Sequence, residues 1–149
     1  MATVEPFSHA MIEAFLRSQN LRFLRDEEND FVVQFNYNPE CACELTFYLT
    51  AQGEQKEIYS LLCRSDRRFE PDGWERALVL CNTWNRERRW PRSYLLSYER
   101  DGTAYGEICL DMHIDLGTGI HQELLADLTS TFIATSFSFW RWLRQEQHF

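Results

Sequence analysis

A chain of 149 residues with 44% apolar and 26% charged side chains can bury a proper core, which argues against disorder and for a single domain spanning 1–149. Its 15 Lys and Arg stand against 23 Asp and Glu, a net charge of −8, so general nucleic-acid binding, which relies on excess cations, is disfavoured. The amino terminus, Met1 to Pro6, lacks the basic and apolar regions of a secretory signal, and no apolar run approaches the roughly 20 residues of a membrane span. A cytoplasmic chain without membrane insertion is expected.

Ala10, Met11, Ala14, Phe15 and Leu16 recur at helical spacing, which predicts a first helix from about Ser8 to Ser18, with Ser8 as its cap and Asn20 at its exit. Leu21, Phe23 and Leu24 begin a short strand, and Asp26-Glu27-Glu28-Asn29-Asp30 is a polar turn. Phe31, Val33, Phe35 and Tyr37 then alternate with polar neighbours, and so do Leu45, Phe47 and Leu49. Ile58 to Cys63 adds a fourth run, and the short polar turns between runs imply an antiparallel meander. A second helix should begin near Pro71-Asp72 and bury Trp74, Ala77, Leu78, Cys81 and Trp84. Arg86, Arg88 and Arg89 suit its carboxyl end, and Pro91 stops it. Tyr94, Leu96 and Tyr98 lead into Asp101-Gly102, a hairpin signal. The return strand sets apolar Ile108, Leu110, Met112 and Ile114 against a wet face of Glu107, Cys109, Asp111, His113 and Asp115. A last helix runs from about Gly119 to Arg144 on a stripe of Leu124, Leu125, Leu128, Phe132, Ile133, Phe137, Trp140 and Leu143, with Phe139 and Trp142 off it. Helix, four strands, helix, two strands, helix is an α+β order: an antiparallel twisted sheet with helices packed on it.

Five Trp, six Tyr and eleven Phe are more than a small core needs, so the rings either enrich the core or reach a contact surface. Lys56 is the only lysine, and a bias to arginine favours planar, bidentate or stacked contacts. Cys41, Cys43, Cys63, Cys81 and Cys109, an odd number among apolar neighbours, read as reduced, buried thiols. Cys41-Ala42-Cys43 lacks a second Cys or His pair at ligand spacing, so no metal or other cofactor is expected.

The segment Ala77-Leu78-Val79-Leu80-Cys81-Asn82-Thr83-Trp84-Asn85-Arg86-Glu87-Arg88-Arg89-Trp90-Pro91 resembles the signature of the YbjN family of bacterial sensory-transduction regulators. That signature is an apolar helix with two asparagines three residues apart, then arginines, an aromatic and a proline. The likeness in element order covers almost the whole chain. It implies a fold similar to type III secretion chaperones, often dimeric, with no established enzymatic activity and action through protein contacts.

An amide has no useful pKa, so Asn82 and Asn85 either bond neighbouring backbone where helix meets sheet or grip a partner's backbone. Arg64, Arg67 and Arg68 before the second helix, and Arg86, Arg88, Arg89 and Arg92 after it, form a solvated surface or a patch for an anion or a protein, with Trp84 and Trp90 as stacking planes. Asp111, His113 and Asp115 lie about 7 Å apart along one face, too far to chelate one ion unaided, and read as a hydrated sheet face. The leading expectation is a non-enzymatic binding module, a homodimer that contacts an unidentified protein through Asn82, Asn85, Arg86, Arg89, Trp90, Phe139 and Trp142. The rivals are an anion- or RNA-binding domain using the arginines, and an enzyme built on His113 with Asp111 or Asp115.

Overall fold

The computed structural model describes residues 3–149. Three helices, α1 (His9–Ser18), α2 (Trp74–Glu87) and α3 (Gln122–Arg141), accompany six strands. The strands are β1 (Leu24–Arg25), β2 (Phe31–Asn38), β3 (Cys43–Gln52), β4 (Ile58–Ser65), β5 (Arg92–Arg100) and β6 (Thr103–Asp115). All pairings are antiparallel, in the order β1-β2-β3-β4-β6-β5, so the meander expected from the alternating runs is present and β5 lies at an edge.

One face of this sheet makes the core. Phe31, Val33, Leu45, Phe47, Leu49, Tyr59, Leu61, Cys63, Ile108 and Leu110 are all buried there, as period-two alternation requires. α3 closes over them: Phe132 meets Phe47 edge-on with ring centres 5.9 Å apart, and Phe137 meets Phe35 at 5.2 Å. The Tyr59 hydroxyl lies 2.7 Å from Thr129 Oγ1, whose own proton goes to the Leu125 carbonyl, so tyrosine is the donor and its buried oxygen is satisfied. α1 lies beside α3 and buries Met11, Ile12, Phe15 and Leu16; Gln122 Nε2 donates to the Met11 carbonyl at 2.9 Å. α2 covers the β5 end of the same face, where Ser93 and Leu95 point inward. Gly106 on β6 has a packing reason, since a Cβ there would run into the Trp74 indole.

Several local expectations are corrected. Ser8 occupies the cap position of α1 but makes no side-chain capping bond, whereas His121 Nδ1 accepts from the Leu124 N–H at the start of α3. On α2 the buried residue is Leu80, and Leu78 is 55% exposed. Tyr37 and Leu96 also face outward. The pairing register of β2 slips between Phe35 and Asn38, and on β5 the inward positions are Ser93 and Leu95. α3 ends at Arg141 and widens into a π-helical turn, Trp142–Glu146, closed by the Gln147 N–H on the Trp142 carbonyl at 3.1 Å.

Phe47→Ala removes a ring that touches Phe35, Phe132 and Phe137, and an expected loss of about 3–5 kcal/mol follows from transfer and cavity terms. Tyr37→Ala, in the exposed part of β2, is expected to stay within about 0.5 kcal/mol. Urea unfolding midpoints of the two variants check the contrast.

Candidate functional site

The carboxyl end of α2 is held to the start of β5 by a set of short-range bonds. Asn85 and Ser93 exchange two: Asn85 Nδ2 donates to the Ser93 carbonyl at 3.0 Å, and the Ser93 N–H donates to Asn85 Oδ1 at 2.9 Å. The Ser93 hydroxyl lies 3.1 Å from both the Cys81 carbonyl and Asn85 Oδ1. Trp84 Nε1 donates to the Pro91 carbonyl at 3.1 Å. Of the two readings offered for the asparagines, Asn85 follows the one in which an amide satisfies backbone where helix meets sheet; Asn82 is exposed.

These bonds fix the two ends of the segment from Arg86 to Arg92. Arg88 is already extended, so α2 stops at Glu87, four residues before Pro91, and Arg88 and Arg89 project beyond the helix instead of completing its last turn. The segment forms one wall of an open groove of about 820 Å³, lined by Arg86, Arg88, Arg89 and Trp90. Thr135, Ser138 and Arg141 of α3, with Gln145 and Glu146 of the π turn, form the other wall. Trp84 and Trp142 contribute rings 5.4 Å apart at its base. Trp90 is 43% exposed.

Four arginines therefore meet two glutamates, Glu87 and Glu146, on a chain that is acidic as a whole. Arg141 was missed by sequence reasoning. Its signal was its place three residues after Ser138 and directly before Trp142, on the polar side of α3.

Phe139 is corrected. It is 0% exposed, edge-on to Trp84 at 5.2 Å and to Trp140 at 5.4 Å, so it belongs to the core and touches no partner. Trp140 is fully buried as well, Trp142 is half-buried, and Phe137 packs on Phe35 and Phe47. The ring surplus goes mostly into the core because α3 is covered by the sheet on one side and by α2 on another. Of the residues proposed for a partner, Arg86, Arg89, Trp90 and Trp142 come together in the groove, Asn85 braces it, and Asn82 lies outside its lining.

The structure also divides the arginines that the sequence suggested as one patch. Arg64 and Arg68 lie on the open face of the sheet and clasp Glu107 at 2.6 and 3.3 Å. Arg92 makes a bidentate pair with Asp111 at 2.8 and 2.7 Å. Arg67 turns inward, over the Phe69 and Trp140 rings at 5.2 and 5.7 Å. The expected wet face of β6 is corrected accordingly: Glu107, Cys109 and Asp111 are buried beneath these guanidinium groups and Tyr94. Burial pushes the Glu107 carboxyl up, but the Arg64 hydrogen bond and the charges of Arg64 and Arg68 outweigh it, and the group ends below its ordinary value. Asp111 behaves likewise, with Arg92 and His113 overcoming its burial.

His113 Nδ1 lies 2.9 Å from Ser60 Oγ and its Nε2 3.2 Å from Asp111 Oδ2, so the imidazole spans a gap that separates the backbone positions. The order Ser60, His113, Asp111 superficially matches a hydrolase relay. Ser60 is buried, however, both Asp111 oxygens are engaged by Arg92, and His113 lines none of the described grooves. Asp115 points elsewhere, accepting from the Gly117 N–H. Among the described residues no three His, Cys, Asp or Glu side chains converge as metal ligands, and no helix is long and apolar enough to cross a membrane.

A two-layer α+β domain carrying a ring-floored, arginine-rimmed groove is the class that fold and site define. The family model described as "Putative bacterial sensory transduction regulator" matches residues 8–145, and the chain belongs to this family, YbjN. Among solved structures the chain is similar to one described as "Crystal structure of YbjN, a putative transcription regulator from E. coli". The TM-score is 0.71 at 8% identity, covering 97% of each chain. No match is found among curated proteins.

Asn85→Ala would leave the Ser93 N–H and carbonyl without their partner amide, and an expected loss of about 1–3 kcal/mol follows. Asn82→Ala is expected to stay within about 0.5 kcal/mol, and chemical denaturation of both variants checks the difference. A second expectation concerns acid. Glu107 and Asp111 have folded-state pKa values below the unfolded ones near ~4, so their contribution is complete above that pH and is lost as pH falls towards the folded values. Glu107→Gln should therefore show a shallower decline in stability than the parent between about pH 5 and about pH 3. Parallel slopes in urea titrations across that range would rule the carboxylate out as a source of the acid sensitivity.

Proposed function

We propose that this protein is a non-enzymatic, cytoplasmic binding module that acts through contact with another protein, and that the groove between α2 and α3 is its contact site. One observation carries this reading: four arginines and a half-open tryptophan converge on an open, braced trough in an otherwise acidic chain. Rings beside arginines, with the rings low and the charges at the rim, are the side chains that dominate protein interfaces. Family membership supports a regulatory role, since the family is described in those terms.

The homodimer expected from the sequence rested on ring-bearing side chains of α3 that the fold has placed largely inside. The sheet face and two free edges remain for a second copy, and of the edges, the two-residue β1 and the nine-residue β5, the longer is β5. Charged Arg92, Glu99 and Arg100 guard that edge, and Pro91 precedes it. A dimer built there would double the 17.8 kDa chain mass in light scattering. A second functional reading, an anion-binding domain, has the same four arginines behind it. A long polyanion such as RNA is disfavoured by the net charge of −8.

The test is affinity capture with the full chain as bait, comparing the parent, a groove variant Arg86→Glu/Trp90→Ala and an outer variant Arg100→Glu. Proteins retained by the parent and by the outer variant should fall about tenfold with the groove variant, provided circular dichroism shows all three folded. Identical capture by parent and groove variant would place the contact surface elsewhere.

A further inference from the structure

We infer that the groove receives a short acidic segment of its protein partner, whose carboxylates engage Arg86, Arg88, Arg89 and Arg141 while an apolar or aromatic side chain lies on Trp90. This rests on the protein-binding reading above and adds the chemistry of the partner.

The first support is the unequal treatment of arginines within one molecule. On the open sheet face, Arg64, Arg68 and Arg92 are matched to carboxylates buried beneath them, at 2.6 to 3.3 Å. In the groove the pairing is loose. Arg86 has only its neighbour Glu87 at 3.5 Å, and Arg141 only Glu40 at 3.7 Å. Both pairs are exposed, a kind worth about 0–1 kcal/mol and readily exchanged for a better acceptor. Arg88 lies over the Trp84 ring at 5.3 Å. Among the described residues neither Arg88 nor Arg89 has a carboxylate partner. The groove thus gathers two arginines without a carboxylate partner and two with loose, exposed ones.

The second support is the match of shape and charge. A guanidinium fork binds a carboxylate through two parallel bonds, and several forks along a trough read a row of carboxylates better than one point charge. Polar and charged residues outnumber the three tryptophans in the lining, so the groove suits a charged extended segment more than the apolar face of a helix. The braces at Asn85 and Trp84 hold the wall before any ligand arrives, which lowers the ordering cost of binding.

The third support is length. The groove lining is net positive, four arginines against two glutamates, while the remainder of the chain is more negative than the whole. A nucleic acid, charged at each nucleotide, would run on into that repulsion, while a short acidic segment stops inside the groove. A second copy of this chain could offer its own exposed acidic turn, Asp26 to Glu28, and the test separates that case.

The probe is a fluorescein-labelled peptide alternating glutamate and phenylalanine, read by anisotropy against the full chain at low and at physiological salt. Controls are the same peptide with glutamine for glutamate and a single-stranded RNA oligonucleotide. The glutamate peptide is expected to bind at least about tenfold tighter than the glutamine peptide and to weaken with salt. Arg89→Glu should weaken it about tenfold and Trp90→Ala severalfold, while Arg100→Glu leaves it unchanged. Circular dichroism confirms that each variant is folded.

Equal affinity for the two peptides, or indifference to Arg89→Glu, overturns the inference, as does RNA displacing the peptide at equal concentration. Self-association that Arg89→Glu abolishes, without peptide binding, assigns the groove to a second copy and overturns it too. Capture of a partner through the groove by a neutral or basic segment would sink the acidic segment alone and leave the binding-module reading standing.

Discussion

Trp84 stands where the core and the groove share a wall. One side of its indole meets Phe139 edge-on, a fully buried ring that ties α3 to α2. Another side meets Trp142 and lies under Arg88, at the base of the groove. Its N–H is fixed to the Pro91 carbonyl, so the direction in which the chain leaves α2 is set by a hydrogen bond from a core residue. Position, packing and exit angle are thereby linked at the end of the groove that Trp84 forms. Close-packed interiors resist rearrangement, so the buried Trp84 anchor gives the exposed segment a fixed point of departure. A residue that sequence periodicity assigns simply to a buried stripe thus also organises a trough floored by tryptophan rings.

The open face of the sheet shows a different solution to a common problem. With all three helices on one side, a two-layer domain must present the other face of its central strands to water. Here β4 and β6 carry Leu62, Arg64, Glu107, Cys109 and Asp111 on that face, in rows fixed by pairing: Tyr48, Leu62, Asp111 and Arg92 run across four strands. A carboxylate buried alone would be costly, and removing one member of such a pair leaves the other uncompensated. Arginine stems supply the cover and their heads supply the charge, so Glu107 and Asp111 are shielded without a third layer of structure. This consumes Arg64, Arg68 and Arg92 and makes that face a closed electrostatic unit. The groove arginines are then informative by contrast, because nothing on their own chain neutralises them to the same degree.

Much of the architecture was legible in the sequence. Alternation in β2, β3 and β6 and helical spacing in α1 depend on short-range periodicity, which a linear reading captures. Misreadings occurred where tertiary neighbours decide. On α2, Leu78 and Leu80 are both apolar, and only the seat of the helix on β5 buries the second and exposes the first. On β6, Glu107 and Asp111 look like wet-face residues until distant arginines are seen to cover them. Phe139 lies off the main stripe of α3 but is buried because α2 approaches from a second side, a long-range fact with no local signal. The π turn at Trp142–Glu146 inserts an extra residue that periodicity cannot foresee, yet it sets Leu143 in the core and Trp142 at the groove. The candidate site was half legible for the same reason: the cluster Arg86 to Trp90 is contiguous in sequence, whereas Arg141 reaches it only through packing.

At 8% identity the YbjN crystal structure and this chain share a fold over 97% of their lengths, and that combination limits what fold alone can imply. A six-strand sheet under three helices needs only the right apolar pattern, turn residues and chain order, and many sequences satisfy those demands. Function rests on side chains that the fold merely positions. In this chain the scaffold is not indifferent to them: Asn85 satisfies the first backbone groups of β5 and in the same act anchors the arginine-bearing segment. A structural bond and a placement of charge are one interaction. The bonds of Trp84 and Asn85 hold both ends of that wall, while the side chains between them, Arg86 to Trp90, stay exposed.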